Sequence, residues 1–302
     1  MVEVKRTICG VPFKNPVLTA AGPNVATEEH IMAAIKGGAG GVVTKTVSII
    51  PACDSRPTIR KGPLGSLLNC ETWSEKSFKE FFPLYKKIKA KGLPLIVSIG
   101  YTPHDVSYLG PILEQEVSPD IIEFSTHYVG KDQTPLIEVA QALREAVSVP
   151  IWMKISPAVH DIQGLAQAAS FYVDGFVAIN SMGPVLDFDP ERPIPLLGSS
   201  FGQGWMSGPP ILPVALRIVY ELATCQPKPV IGVGGIERGI DAIKFFMAGA
   251  SLVQICSGAL KYGPAHYGVV VREISQWLES HGCSSLKDIQ NKYIKAIKKH
   301  PI

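Results

Sequence analysis

The chain has 302 residues, 46% hydrophobic and 18% charged, with a formal net charge of +3. That composition supplies a sizeable core, and so small a charge excess lacks the concentrated basic patch of a nucleic-acid-binding protein. Six cysteines without a C-x-x-C pair exclude a locally encoded zinc or iron–sulfur site, and no uncharged apolar run approaches the ~18 residues of a membrane span.

The first residues carry Glu3, Lys5 and Arg6 and no apolar signal core. With the scattered cysteines, this predicts a soluble, cytoplasmic protein. A first apolar strand at 16–21 leads to an amphipathic helix at 28–36. A second strand at 41–45 opens a long connection, 46–93, that carries a helix at 76–90. Strands at 94–99 and 121–125 follow, then a helix at 134–147 and a fifth strand at 151–155. A helix at 162–172 leads to the sixth strand at 175–180, which opens a second long connection, 181–229, ending in a helix at 210–222. The seventh strand at 230–233, a helix at 239–247 and the eighth strand at 252–255 complete the series. A helix at 269–280 and a tail with Lys292, Lys295, Lys298 and Lys299 are expected to pack outside.

Brief strands that are apolar at nearly every position suit a parallel sheet buried on both faces. Alternation with amphipathic helices means βαβ units. Eight such units favour a closed TIM-type (β/α)8 barrel, in one domain spanning 1–302, over an open doubly wound sheet. The long insertions after strands two and six, rich in Pro and Gly, are expected to wall a pocket at the C-terminal rim.

Small or polar residues stand at every predicted strand end. Gly234-Gly235 after strand seven and Cys256-Ser257 after strand eight lie where barrels often bind phosphate through backbone amides, with Ser207-Gly208 in reach from the preceding loop. A plain tight turn is the alternative reading of the glycine pair. Lys45 and Lys154 end strands two and five. A lysine pointing into a rim pocket needs an anionic partner. It serves as a charge partner for a cofactor, as a Schiff-base nucleophile in a lyase or aldolase, or in a salt bridge to a carboxylate such as Glu123. Two lysines beside a phosphate loop suit a flavin, whose reduced ring carries negative charge.

In order along the chain stand Asn15-Pro16-Val17 with Ala21-Gly22, Thr44-Lys45-Thr46, Asn69, Lys154, Asn180-Ser181, Met206-Ser207-Gly208-Pro209, the stretch 231–236 and the stretch 249–257. This set resembles the dihydroorotate dehydrogenase family of FMN barrels, and the related FMN domain of dihydropyrimidine dehydrogenase. The resemblance implies FMN, with Ala21, Gly22, Lys45 and Thr46 along the ring and Lys154 at its pyrimidine edge. It implies that Ser181, Ser207, Gly208, Gly234, Gly235, Cys256 and Ser257 surround the ribityl phosphate, and that Asn69, Ser125 and Asn180 face substrate, Asn180 also facing the flavin.

One loop departs from the family pattern. After strand four the family carries an Asn-Leu-Ser-Cys-Pro-Asn type motif, where this chain reads Ser125-Thr126-His127-Tyr128-Val129-Gly130. The first Asn is Ser125, the base Cys is Tyr128 and the last Asn is Gly130. Asn69 is also followed by Cys70-Glu71-Thr72-Trp73, where dihydroorotate enzymes have small and aliphatic residues. Oxidation or reduction of a CH–CH bond beside a carbonyl is therefore implied, with the substrate left open. His127 and Tyr128 are the candidate proton acid/base, Cys70 is a third, and Lys45 joins them as a catalytic candidate. Trp73 and Trp205 are candidate lid residues, and His104 and His160 follow strands three and five. Electrons would pass to an external acceptor or donor, possibly a partner subunit. A homodimer is implied by resemblance. A non-catalytic flavin-holding subunit is the further alternative.

Overall fold

The computed structural model describes residues 2–125 and 130–299. Eight strands form one sheet: β1 (Val17–Thr19), β2 (Val42–Val43), β3 (Leu95–Ile99), β4 (Ile121–Ser125), β5 (Ile151–Ile155), β6 (Gly175–Ala178), β7 (Val230–Val233) and β8 (Leu252–Ile255). Their order is β1-β8-β7-β6-β5-β4-β3-β2, and every ladder is parallel. The two ends meet at the buried Thr19. Its amide donates to Gly41 O (3.3 Å), and its hydroxyl donates to Val43 O (2.7 Å) and accepts the Val43 amide (2.8 Å). A side chain thus closes the seam that strands this short leave open, and the sheet becomes the expected α/β TIM-type barrel.

Around it lie α1 (Glu28–Lys36), α2 (Phe82–Ala90), α3 (Pro103–Glu116), α4 (Thr134–Ala146), α5 (Ile162–Ala169), α6 (Leu212–Cys225), α7 (Gly239–Met247), α8 (Ser257–Tyr262), α9 (His266–Ser280) and α10 (Lys292–Lys299). Local chemistry sets their ends. Thr27 caps α1 by accepting the His30 amide, and Asp161 caps α5 by accepting that of Gly164. The helix expected at 76–90 starts later. A 3-10 turn, Phe78–Phe81, occupies its first part, held by a reciprocal Ser77–Glu80 capping box. The strand pattern gives no sign of α3, because Pro103 and Pro111 interrupt it. Pro103 sits in the first turn, where a missing amide costs nothing, and Pro111 faces solvent.

The barrel interior is packed by Leu18, Val43, Ile96, Trp152, Val177, Ile231 and Leu252. Its lower end is plugged by Phe13, from the hairpin Arg6–Ile8 and Val11–Phe13, stacked on Trp152 with centroids 6.4 Å apart. At the upper end the two long connections meet. Strands Met182–Val185, Gly204–Ser207, Leu67–Asn69 and Ile59–Lys61 form one antiparallel sheet in that order. Register places Trp205 opposite Asn69 and Met206 opposite Leu68. This lid carries functional side chains to the rim from both insertions at once.

Candidate active site

A cleft lies between the lid and the C-terminal ends of β1, β2, β4, β6, β7 and β8. It gathers Ala21, Gly22, Lys45, Thr46, Asn69, Ser125, Asn180, Ser181, Ser207, Gly208, Gly234, Gly235, Cys256 and Ser257 from eight stretches of chain.

One end is built of backbone. Gly234 and Gly235 have φ of +134° and +76°. A Cβ on Gly234 would meet Ala215 Cβ at 2.9 Å, and one on Gly235 would meet Gly208 O at 2.8 Å. Only glycine serves at both positions, and the turn keeps its amide backbone bare toward the cleft.

The other end is polar. Lys45 Nζ donates to Glu71 Oε2 at 2.8 Å, with side chains only 10% and 19% exposed, and Thr58 Oγ1 lies 3.3 Å from Glu71 Oε1. Asn180 is held in one orientation: its Nδ2 donates to Ser125 Oγ (3.0 Å) and its Oδ1 accepts the Ser181 amide (2.9 Å). Asn69 Nδ2 donates to Trp205 O (3.4 Å), and Thr46 and Ser98 share a hydroxyl contact of 2.9 Å. Beneath the floor, Lys154 Nζ stands 3.6 Å from Glu123 Oε1, both deeply buried. Gln254 Nε2 donates to Glu123 Oε2 at 2.7 Å across the barrel, which leaves the buried Gln254 Oε1 without a partner at the cleft floor. Burial pushes the Cys256 thiol up to about 11, although Lys154 and Lys45 pull the other way. Cys256 is therefore a neutral wall, placed against Gly22, where an added Cβ would meet its Sγ at 2.6 Å.

Lys154, expected to touch the cofactor, does not line the cleft, because Glu123 holds its ammonium beneath the floor, and three further candidates stand apart. Cys70 is not in the cleft. It packs with Leu68 and Leu197, and its Sγ lies 3.7 Å from Pro57 O. Strand alternation turns Asn69 and Glu71 inward and Cys70 away, so its role as acid/base is withdrawn. His104 and His160 are exposed on the rim and do not line the cleft. His127 and Tyr128 lie outside the described residues. Two members of the site go unmarked in the sequence reading. Glu71 is one. The other is Gln254, whose only signal is an amide inside an otherwise apolar buried strand. No cluster of three or more metal-ligating side chains occurs among the described residues.

A family model described as dihydroorotate dehydrogenase matches residues 113–278. The chain is 34% identical over 299 residues to the dihydroorotate dehydrogenase B (NAD(+)) catalytic subunit of Pyrococcus furiosus, covering 95% of this chain and 98% of that one. The subunit of the same description from Pyrococcus abyssi is 35% identical over 300 residues, covering 96% and 98%. That of Methanothermobacter thermautotrophicus is 30% identical over 298 residues, covering 95% and 97%. This chain belongs to the dihydroorotate dehydrogenase family. It is a flavin-dependent oxidoreductase acting on CH–CH bonds, with FMN as cofactor. A Schiff-base lyase is thereby set aside: Lys154 is buried against Glu123 and Lys45 is paired with Glu71.

The cleft fits FMN on its own terms. A phosphate needs amide donors on a surface free of side chains, which the Gly234-Gly235 turn supplies. The flavin ring carries an imide N–H, and the unpartnered Gln254 Oε1 is an acceptor at the floor. The ammonium groups of Lys45 and Lys154 both act on the Cys256 thiol beside the cleft, each already paired with a carboxylate, Glu71 and Glu123. Among the described residues, no helix is long and apolar enough to cross a membrane.

Proposed function

We propose that this member of the family oxidises or reduces the C–C bond next to a carbonyl in a small nitrogenous ring of the dihydropyrimidine kind. We further propose that it exchanges electrons with a second subunit. The observation that carries the reading is the juxtaposition, in one cleft, of a bare glycine turn with the amides of Asn69 and Asn180 and the Lys45–Glu71 pair. The names of the relatives, catalytic subunits of an NAD(+) enzyme, support both the ring substrate and a partner chain that handles the nucleotide. They also favour a catalytic role over a merely flavin-holding one.

Bound FMN supplies the hydride acceptor or donor. In the oxidising direction two adjacent C–H bonds become one C=C: one hydrogen leaves as hydride and the other as a proton. His127 or Tyr128, directly after β4, is the proposed proton acceptor, at the position the family uses for its base. Asn180, fixed by Ser125 and by the Ser181 amide, holds the ring's polar edge, and Asn69 offers a second amide. Ser125 and Gly130 replace two asparagines of the family motif, so fewer amides face the substrate than in a dihydroorotate site. Unmatched polar groups on such a substrate cost about 1–3 kcal/mol each. For that reason the reading is the ring class and not dihydroorotate itself.

A cytoplasmic homodimer of single-domain chains is part of the proposal. Leu186, Phe188 and Ile194, in and beside a separate hairpin of Phe188–Asp189 with Arg192–Pro195, and Phe201 are more than half exposed, as a surface awaiting a second copy would be. The test of function is anaerobic reduction of the FMN enzyme, then a screen of pyrimidines, cyclic imides and enones for reoxidation. Rapid reoxidation by uracil-type rings is expected. Reoxidation by none of them, under conditions where a small redox dye succeeds, overturns the reading.

A further inference from the structure

Beside the flavin cleft lies a second concavity of about 1,090 Å³, open to solvent. Thr46, Glu71, Thr72 and Ser125 line both, so the two share a wall. The rest of its described wall is largely aromatic and aliphatic, with Trp73, Tyr101 and Trp205 facing Pro135, Leu136 and Val139 of the α4 start. Trp73 is fixed in place. Its indole N–H donates to Ile50 O at 2.8 Å, and its ring packs on Tyr101 with centroids 4.8 Å apart and planes 40° apart. Its polar edge is thus satisfied by the lid, and ring surface remains for a ligand.

The charges of this space are one-sided. Its described wall contains the carboxylates of Glu71 and Glu138 and no lysine, arginine or histidine. The ammonium of Lys45, in the adjoining cleft, is paired with Glu71 at 2.8 Å. Among the described residues of this wall, a carboxylate arm on a substrate would find no unpaired cation, and two carboxylates close by. A bare pyrimidine would leave the aromatic wall wet.

We propose that this annex receives an uncharged apolar arm, about the size of an aromatic ring, carried by the substrate. The substrate is then a neutral ring with an apolar substituent, and Trp73 is the residue that selects it. The inference rests on the assignment of the first cleft to FMN and the reacting ring, and it specifies what that ring carries.

The experiment titrates oxidised, FMN-loaded enzyme with uracil, orotate, 5-phenyluracil and 6-phenyluracil, followed by the flavin absorbance change. The same four are then tested for reoxidation of the reduced enzyme. At least one phenyl compound is expected to bind roughly tenfold or more tighter than uracil, and orotate no tighter than uracil. Trp73→Ala should collapse the phenyl-to-uracil ratio, and Trp73→Phe should retain most of it. A variant that merely loosens the fold weakens both compounds together and leaves the ratio intact. Tightest binding by orotate, phenyl compounds no better than uracil, or a ratio that survives Trp73→Ala each overturns the proposal. Failure of the reaction class looks different: no compound reoxidises the flavin while the phenyl preference in binding persists, and that outcome supports the annex.

Discussion

Glu123 and Lys154 face each other from adjacent strands inside the barrel, 3.6 Å apart, with side chains 0% and 4% exposed. Glu123 is held from the opposite wall by Gln254 at 2.7 Å. A buried ammonium beneath the cleft floor is thus balanced by one carboxylate. Glu123→Gln removes the balance and leaves a buried, uncompensated cation. The expected cost is about 3–5 kcal/mol of stability, read from denaturant midpoints. In protein that still folds, the FMN potential should move positive, because the unbalanced ammonium favours the anionic reduced ring. An unchanged potential would mean that Lys154 does not sense the flavin.

The barrel seam yields a second prediction. Thr19 Oγ1 makes both contacts that tie β1 to Val43. Thr19→Val keeps the shape and strands one buried amide and one buried carbonyl. A loss of about 2–4 kcal/mol is expected, larger than for a typical Thr→Val change at a surface strand. A loss below ~1 kcal/mol would show that the backbone bonds Thr19 N–H to Gly41 O and Gly40 N–H to Val17 O, with packing, close the seam without the hydroxyl.

The strands are the legible part of this sequence. Buried parallel strands are apolar on both faces, so 121–125, 151–155, 230–233 and 252–255 stand out and coincide with the observed elements. The strand expected at 41–45 shortens to Val42–Val43; the chain runs on beside β3 through Thr44 N–H to Ile96 O and a bridge from Val47 to Ile99, with Lys45 at the rim between them. The glycine turn is legible for a local reason, since its backbone demands leave no other residue. The lid is not. Its strands are three or four residues long, rich in Pro and Gly, and paired between connections more than a hundred residues apart. For the same reason Lys45 shows its position in the sequence and not its partner. Glu71 is brought to it only by tertiary packing, and the inward turn of Glu71 is what sends Cys70 outward.

Gly235 carries a third prediction. Alanine there meets Gly208 O and Leu212 Cβ at under 3 Å and adopts a left-handed conformation. Gly235→Ala should cost about 1–2 kcal/mol in backbone strain alone. It should also lower FMN affinity roughly tenfold or more, because the turn swings its amides away from the phosphate. FMN content after gel filtration checks this, and full retention would place the phosphate elsewhere.

Cys256 links stability to pH. Its folded thiol ionises near 11, against an ordinary value of 9.0, chiefly because of burial. Between those values the unfolded chain releases a proton that the folded chain keeps, so stability falls as pH rises through the window. Below the ordinary value the contribution is complete. On the order of 2–3 kcal/mol should be lost across it, and Cys256→Ala should remove that component. Comparing the denaturant midpoints of both proteins from about pH 8 upward isolates it. Parallel curves would contradict the assignment.

The Lys45–Glu71 pair supplies the last prediction, because it sets the charge the active site offers to a substrate. With Glu71 ionised 2.8 Å away, Lys45 has little attraction left for a carboxylate. Glu71→Gln keeps a hydrogen-bonding partner and removes the neutralising charge. The freed ammonium should raise affinity for orotate about tenfold relative to uracil, since a charge-assisted contact in a half-buried site is worth more than a neutral one. Added salt should erode the gain. Side-by-side titration of both rings into both proteins decides the matter. A constant orotate-to-uracil ratio would mean that the substrate never meets Lys45, and charge balance at the rim would then have no part in choosing it.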